Sequence, residues 1–337
     1  MKIKNAKRDC ARNPTLSAFI CVYLRLMAFA GIALCPLVAA AAENFPSRPM
    51  RMIAPSPAGG SVDILARTVG QYLAASLGVP VIVDNRVGAS GMIGTELLAK
   101  SPPDGYTMMM GYSAHATNPI FIKKLPYDTL NDFSGVVHIG DIPLLLVVHP
   151  SVPAQSVREL IALAKARPGQ LQFAAGATGG GPSMAGLLLN QMAGLDIVQV
   201  SYKGNAPAQV DLLGGQVTMM FDTINTSIAL ARAGRLRALA VTSLKRSSLA
   251  PELPTMAEAA LPGFDVRAWY AVMVPARTRR EIVQKLNVEI NKALNDPAIR
   301  SRLSGDGVEL VGGTPEAADA FIRAEMARWP KIIKAGS

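Results

Sequence analysis

Three times in this chain a short apolar run passes through a glycine-rich loop into a stretch of helical periodicity, and that repetition constrains the fold more than any other feature. The first copy is Met52-Ile53-Ala54, then Pro55-Ser56-Pro57-Ala58-Gly59-Gly60, then Ser61-Val62-Asp63-Ile64-Leu65-Ala66-Arg67. The second runs from Val81-Ile82-Val83 through Gly88-Ala89-Ser90-Gly91 to Met92-Ile93-Gly94, and the third from Phe173-Ala174-Ala175 through Gly176-Ala177-Thr178-Gly179-Gly180-Gly181 to Pro182-Ser183. A strand that turns abruptly into a helix leaves the first N–H groups of that helix without partners and aims them, with the positive end of the dipole, at whatever sits above. Glycine lets that backbone come close to a ligand. Each such interaction contributes only ~0.3–1 kcal/mol at an exposed site, so several mouths must act together.

Between these mouths the chain alternates short apolar runs with longer amphipathic ones, which implies an α/β architecture with parallel sheets. Strands are expected at Met50–Ala54, Val81–Val83, Tyr106–Met110, Leu144–His149, Leu171–Ala175, Ile197–Val200, Val217–Phe221, Leu236–Val241 and Tyr270–Val274. Ser156-Val157-Arg158-Glu159 and Thr255-Met256-Ala257-Glu258 both have the spacing of a capping box. Helices are expected over Ile64–Leu77, stopped by Gly78, over Glu281–Leu294, and after Thr314-Pro315. Asp104-Gly105 reads as a tight turn into a strand.

The N-terminus has a different character. Residues 2–25 carry six Lys/Arg against the single acid Asp9, and Leu26–Ala42 is an apolar, alanine-rich run ending Ala40-Ala41-Ala42. This is the pattern of a cleaved secretory signal, with the mature chain starting near Glu43 and working in the periplasm; an uncleaved membrane anchor would want a slightly longer span and a positive stop. All three cysteines, Cys10, Cys21 and Cys35, lie within it. Cleavage would therefore leave no disulfide, thiolate metal site or cysteine nucleophile. It would also take the formal charge from +10 to +5, with the remaining bases scattered, which is no nucleic-acid footprint.

Catalytic readings fail on spacing. Gly181-Pro182-Ser183-Met184-Ala185 distantly echoes a hydrolase nucleophile elbow, but His115, His138 and His149 all precede it, whereas that fold places its histidine after the serine. The histidines also lack paired carboxylates at metal-ligand spacing. The glycine spacing of Gly88–Gly94 is wrong for a dinucleotide fingerprint. No catalytic residue, metal or cofactor is expected. Binding candidates are more numerous, each with a structural alternative. Ser61 and Asp63 either touch ligand or cap the helix they open. Ser113, Thr117 and Asn118 follow the Tyr106–Met110 strand, at the carboxyl end where α/β proteins place ligands. Lys203 is the cation among the loop motifs, and Asp222 ends the Val217–Phe221 strand, where it either accepts from a ligand or caps a helix.

A set of ordered blocks then matches a family. These are Phe45-Pro46-Ser47-Arg48-Pro49, the Pro57–Asp63 loop, Asp84-Asn85-Arg86 with Gly88–Gly94, Pro103-Asp104-Gly105-Tyr106-Thr107, Leu125-Pro126-Tyr127-Asp128 with Asp132-Phe133, Val200-Ser201-Tyr202-Lys203-Gly204, Asp211–Gln216, Gly234–Ala240 and Leu253–Glu258. From Phe45 onward the sequence resembles the Bug family, the tripartite tricarboxylate transporter-type periplasmic solute-binding receptors. The resemblance implies a two-lobed, type II-like binding-protein fold, each lobe a central sheet flanked by helices. Lobe one would comprise residues 43–143 and 266–337, lobe two residues 144–265, with two crossings forming a hinge. It further implies a monomer that holds a small organic acid between the lobes and passes it to a membrane permease; presenting the solute to a signalling sensor is the alternative. The ligand-binding set implied is Pro57, Ala58, Gly59, Gly60, Ser61, Asp63, Ser90, Ser113, Thr117, Asn118, Thr178, Gly179, Gly180, Ser183, Tyr202, Lys203, Gly204 and Asp222. Val62, Met92 and Ser183 stand where the family often has polar groups or histidine, which points to a ligand less polar than a tricarboxylate.

Overall fold

A computed structural model describes residues 45–334. The proposed leader, its cleavage site and the three cysteines lie outside the described residues. The chain from Phe45 onward forms one compact unit.

Its first layer follows from local sequence. Strand β1 (Met50–Ala54) is almost wholly buried and leads through the Pro55–Gly60 loop into α1 (Ser61–Leu77). Buried Val62, Leu65, Ala66, Val69 and Leu73 recur at helical spacing, so one stripe of α1 faces the sheet. The helix stops where Gly78 adopts φ 71° and donates its N–H to the Ala74 carbonyl, a conformation glycine reaches without a Cβ penalty. Strand β2 (Val81–Asn85), helix α2 (Met92–Ala99), strand β3 (Thr107–Tyr112) and helix α3 (Ala114–Phe121) complete this region. Asp104 caps the turn into β3 by accepting from the Tyr106 N–H at 3.0 Å.

The next strand, β4 (Phe133–Val148), runs for 16 residues and is the axis of the molecule. Then come α4 (Val157–Ala166), β5 (Gln172–Ala175), α5 (Gly181–Ala193), β6 (Val198–Ser201), α6 (Asn205–Leu213), β7 (Met219–Thr223), α7 (Ile224–Arg232), β8 (Arg237–Val241) and α8 (Met256–Ala259). Strand β9 (Arg267–Pro275) returns along β4, followed by α9 (Arg280–Asn295), α10 (Pro297–Gly305), β10 (Glu309–Gly312) and α11 (Pro315–Lys334). Both expected caps form: Ser156 accepts from the Glu159 N–H at 3.2 Å, and Thr255 and Glu258 make the full reciprocal box.

The strands share one sheet path, β2-β1-β3-β9-β4-β7-β5-β6, with β8 and β10 attached to β4. Parallel pairing holds where it is expected, among β1–β3 and among β5–β7. Antiparallel pairing joins these parallel regions at the centre, where β4 is antiparallel to β9, β7, β8 and β10 and β9 is antiparallel to β3. Residues 133–143 of β4 pair with β9, and residues 144–148 pair with β7, the change of partner falling between Pro143 and Leu144. The first half of β4 escapes sequence reading because it contains His138, Gly140, Asp141 and Pro143. Two register shifts against β9 absorb the irregularity, and the buried Asp141 accepts from His138 at 2.9 Å and Arg267 at 3.4 Å. The core packs on both faces of this path, with Trp269, Phe173, Phe221 and Phe264 fully buried. Met108, Met109, Met110, Met219 and Met220 are fully buried and fill the core.

Candidate functional site

The loops that leave the carboxyl ends of β1, β2, β3, β5, β6 and β7 converge on one cavity of about 680 Å³. Strand carboxyl ends are where open α/β sheets gather ligands, because the connecting loops there open away from the core. Three helices begin on the cavity wall: α1 with Ser61 and Val62, α5 with Gly181 and Pro182, and α6 with Asn205 and Ala206. In each the N-cap is a glycine, Gly60, Gly180 or Gly204, and no side chain caps the helix. Their first-turn N–H groups are therefore left for an occupant, and three positive dipole ends meet at one place.

The loops are shaped for that approach. Gly59 has φ 82°, whereas Gly60 at φ −83° lies in ordinary extended space. The left-handed turn of the first loop is thus at Gly59, and a side chain at Gly60 would lack backbone strain, its Cβ meeting nothing closer than the Pro57 carbonyl at 3.7 Å. In the second loop four successive residues, Gly88, Ala89, Ser90 and Gly91, all have positive φ. For Ala89 and Ser90 that conformation costs roughly 1–2 kcal/mol each, strain of a kind that clusters at ligand sites. The Ser90 carbonyl is held by the Asn118 side-chain amide at 3.2 Å.

Among the described lining residues only Lys203 and Asp222 carry charge. Lys203 is exposed and takes part in none of the ion pairs among the described residues. Asp222 is wholly buried and saturated: it accepts from Asn205 at 3.0 Å, Gln209 at 2.9 Å, Thr226 at 2.8 Å, Ser227 at 2.6 Å and the Thr223 N–H at 2.9 Å. Burial raises its carboxyl above the usual range, with those donors opposing. Its position fits a brace that fixes the start of α6 against α7. Tyr112 and Tyr270, opposite each other in the β3–β9 register, also line the cavity. Burial pushes both phenols up, so they stay protonated donors at neutral pH.

Of the residues expected at a site, the structure brings Pro57, Ala58, Gly59, Gly60, Ser61, Ser90, Ser113, Thr178, Gly180, Tyr202, Lys203, Gly204 and Asp222 to the cavity wall. Asp63, Thr117, Asn118, Gly179 and Ser183 lie outside that wall. Asp63 accepts from the Gly59 N–H at 3.0 Å, Asn85 at 2.9 Å and Arg67 at 3.0 Å, tying the first loop to its own helix. Burial raises its carboxyl, but these donors, Arg67 foremost, outweigh that and hold it below the carboxylate range. Ser183 donates to Gln199 at 2.8 Å and so turns toward β6. The Tyr202 hydroxyl donates to Asp211 at 2.8 Å. A lone histidine in a sequence is more often a solvated or hydrogen-bonded loop residue than a catalyst, and His115 is neither in a loop nor solvated. It is buried in α3, edge-on to Phe133 at 5.0 Å, and neither ring nitrogen has a partner at hydrogen-bonding geometry among the described residues. Among the described residues no His/Cys/Asp/Glu cluster could hold a metal.

Sequence reading misses Tyr112, Tyr270, Asn205, Gln209, Thr223 and Thr226. The pairing Tyr112 opposite Tyr270 depends on a register between strands more than 150 residues apart. Asn205 alone carried a local signal, as the first helical residue after Gly204.

Residues 65–337 match the model of the tripartite tricarboxylate transporter family receptor. Among solved structures, the chain is similar to Rpa4515 of R. palustris with adipate, at 37% identity and TM-score 0.84, covering 87% of this chain and 98% of that one. It is similar to the periplasmic binding protein BugD, at 32% identity and TM-score 0.81, covering 87% of this chain and 99% of that one. It also resembles MatC of Rhodopseudomonas palustris with bound malate, at 30% identity and TM-score 0.81, covering 86% of this chain and 100% of that one. A cavity walled by backbone amides, with its buried acid already saturated, is built to hold a solute rather than to transform it. The chain belongs to the tripartite tricarboxylate transporter family receptors, the Bug-type periplasmic solute-binding proteins, and is a receptor rather than an enzyme.

Proposed function

We propose that this receptor captures a small dicarboxylate between two lobes, residues 43–143 with 266–337 and residues 144–265, and delivers it as a monomer to a tripartite tricarboxylate-type permease. It does so in the periplasm after loss of residues 1–42, the basic and apolar leader. The observation that carries the ligand class is the meeting of three uncapped helix N-termini, α1, α5 and α6, in one cavity. Lys203 is the one cationic side chain on that wall among the described residues. An anion there gains several weak, fixed donors together, and no free carboxylate opposes it. Adipate in Rpa4515 and malate in MatC support a dicarboxylate. Val62, Tyr112 and Tyr270 give this cavity an apolar and phenolic share that suits a carbon chain between two carboxylates better than a third one. The lobe boundaries draw support from β4, which exchanges β9 for β7 between Pro143 and Leu144.

Thermal-shift measurements on the chain lacking residues 1–42 test this directly, using linear dicarboxylates, their diamides and citrate. A dicarboxylate at a hundred times its Kd should stabilise by about 2.7 kcal/mol. Equal stabilisation by the uncharged diamide, or none by any carboxylate, would remove the ligand class.

A further inference from the structure

We infer that Thr117 is a latch across the cleft, a positioning residue that holds the third glycine loop in its binding conformation without touching the solute. The inference rests on the two-lobe reading above, in which Thr117 belongs to lobe one and Gly179 to lobe two. Thr117 is fully buried and off the cavity wall. Its hydroxyl has one proton and three carbonyls in reach: Ser113 at 3.3 Å and Ala114 at 3.4 Å within its own helix, and Gly179 at 2.5 Å in the facing loop. Geometry favours the last, so α3 grips the loop from behind.

The other half of the latch is Gly179. A Cβ there would lie 2.5 Å from the Thr117 hydroxyl and 3.2 Å from Phe121, and its φ of 77° is left-handed as well. Space and backbone angle therefore independently require glycine. The loop is a turn closed by the Gly180 N–H on the Ala177 carbonyl at 3.2 Å. Once the Gly179 carbonyl is tied to Thr117, the next amides, at Gly180 and Gly181, are fixed where α5 opens on the cavity. Two further contacts join the same sides: Ser61 reaches Thr223 at 3.3 Å, and Pro57 lies 3.0 Å from where a Gly204 Cβ would be. The Thr117 bond is the shortest of these and the one that constrains a loop.

The closed arrangement makes this bond with or without solute, so the bond slows ligand escape and leaves association unaltered. Thr117→Val keeps the shape and removes the hydroxyl; Thr117→Ser restores it. Adipate dissociation by stopped flow should be about three- to tenfold faster in the valine variant and close to wild type in the serine variant. Hydrogen exchange of segment 176–181, followed without ligand, should quicken in Thr117→Val and recover in Thr117→Ser while distant segments stay unchanged. Thr117→Ala replaces the valine variant if β-branching without the hydroxyl disturbs α3. Unchanged exchange in segment 176–181, or equal loss with valine and serine, overturns the latch. A wild type that fails to bind adipate contradicts the dicarboxylate reading alone, because the exchange measurement still decides the latch.

Discussion

At the scale of single residues, the sharpest consequences come from buried polar groups. Among the described residues His115 has no partner at hydrogen-bonding geometry for either ring nitrogen, and burial lowers its pKa to about 4, with the Thr129 backbone opposing. In the unfolded chain the same imidazole takes its proton near 6.5. Between these values the unfolded state binds more protons, so by linkage stability rises with pH across that window. The contribution is fully present above pH 6.5 and is lost as pH falls toward 4, to an extent of about 3 kcal/mol. His115→Leu should flatten the acid limb of a urea-denaturation series over that range while leaving stability at pH 8 nearly unchanged; an identical pH profile would show that His115 is not neutral in the folded state. Asp222 behaves differently because its lone pairs are full. Asp222→Asn would turn an amide donor onto Asn205, Gln209, Thr226 or Ser227 and leave at least one of them unpaired, at a cost of roughly 1–3 kcal/mol. Equal midpoints for wild type and variant in denaturant would contradict the brace assigned to this carboxylate. Neither environment was legible in the sequence. A lone histidine and a strand-end aspartate look alike whether solvated or entombed, and what decides is packing contributed from elsewhere in the chain.

Elements explain which parts of the fold could be read in advance. The three glycine mouths are local devices: an apolar run, a glycine-rich loop and a helical stripe lie within about twenty residues, so β1–α1, β2–α2 and β5–α5 are recognisable from sequence. The α6 mouth was partly visible in Tyr202–Gly204, but its convergence with the others was not, because sheet order places it there. Strand β4 was half legible. Leu144–Val148 is a continuous apolar run, whereas Phe133–Pro143 reads as a loop until β9 and β10 supply partners for its glycines and its aspartate. The same locality limits the site. Which face of the short helix α3 looks into the cavity depends on packing, so Ser113 lines it while Thr117 and Asn118 do not. An element-level substitution separates capping from ligand binding. Gly180 sits at the N-cap of α5 with φ −66°, which any residue adopts. Gly180→Asp gains a side-chain cap worth a few tenths of a kcal/mol, set against a new Cβ 3.3 Å from the Ala177 carbonyl, so stability should change little. The substitution should abolish dicarboxylate binding, because the new carboxylate occupies the amides and repels the ligand. Retained affinity by calorimetry in that variant would show that the start of α5 does not hold the anion.

For the whole molecule, the question is how much of the capture depends on movement. The cavity wall is drawn from both sides of β4, with Ala58–Ser61, Ser90 and Tyr112 from one and Thr178, Gly180, Lys203–Asn205 and Asp222 from the other. Neither set alone surrounds a ligand. A solute that touched only α1 would gain one dipole end, while one reached also by α5 and α6 gains three, and that difference in contacts is what can favour the closed arrangement. The strands that would bend are β4 and β9, near Pro143 and Arg267, which face each other in register. Closure about two strands is a hinge motion, expected on the microsecond to millisecond scale. A compact chain of this size has a radius of gyration of roughly 19 Å. Small-angle scattering should show that value for the liganded receptor and a measurably larger one without ligand. Thr178→Trp enlarges a wall residue on the 144–265 side only, and should hold the pair apart. Its affinity should fall although the 43–143 wall is untouched, and its radius of gyration should stay at the unliganded value on adding dicarboxylate. Identical scattering with and without a saturating dicarboxylate would mean that the lobes stand closed at rest; the solute would then enter by opening of the loops, and Thr178→Trp would weaken binding only by filling space.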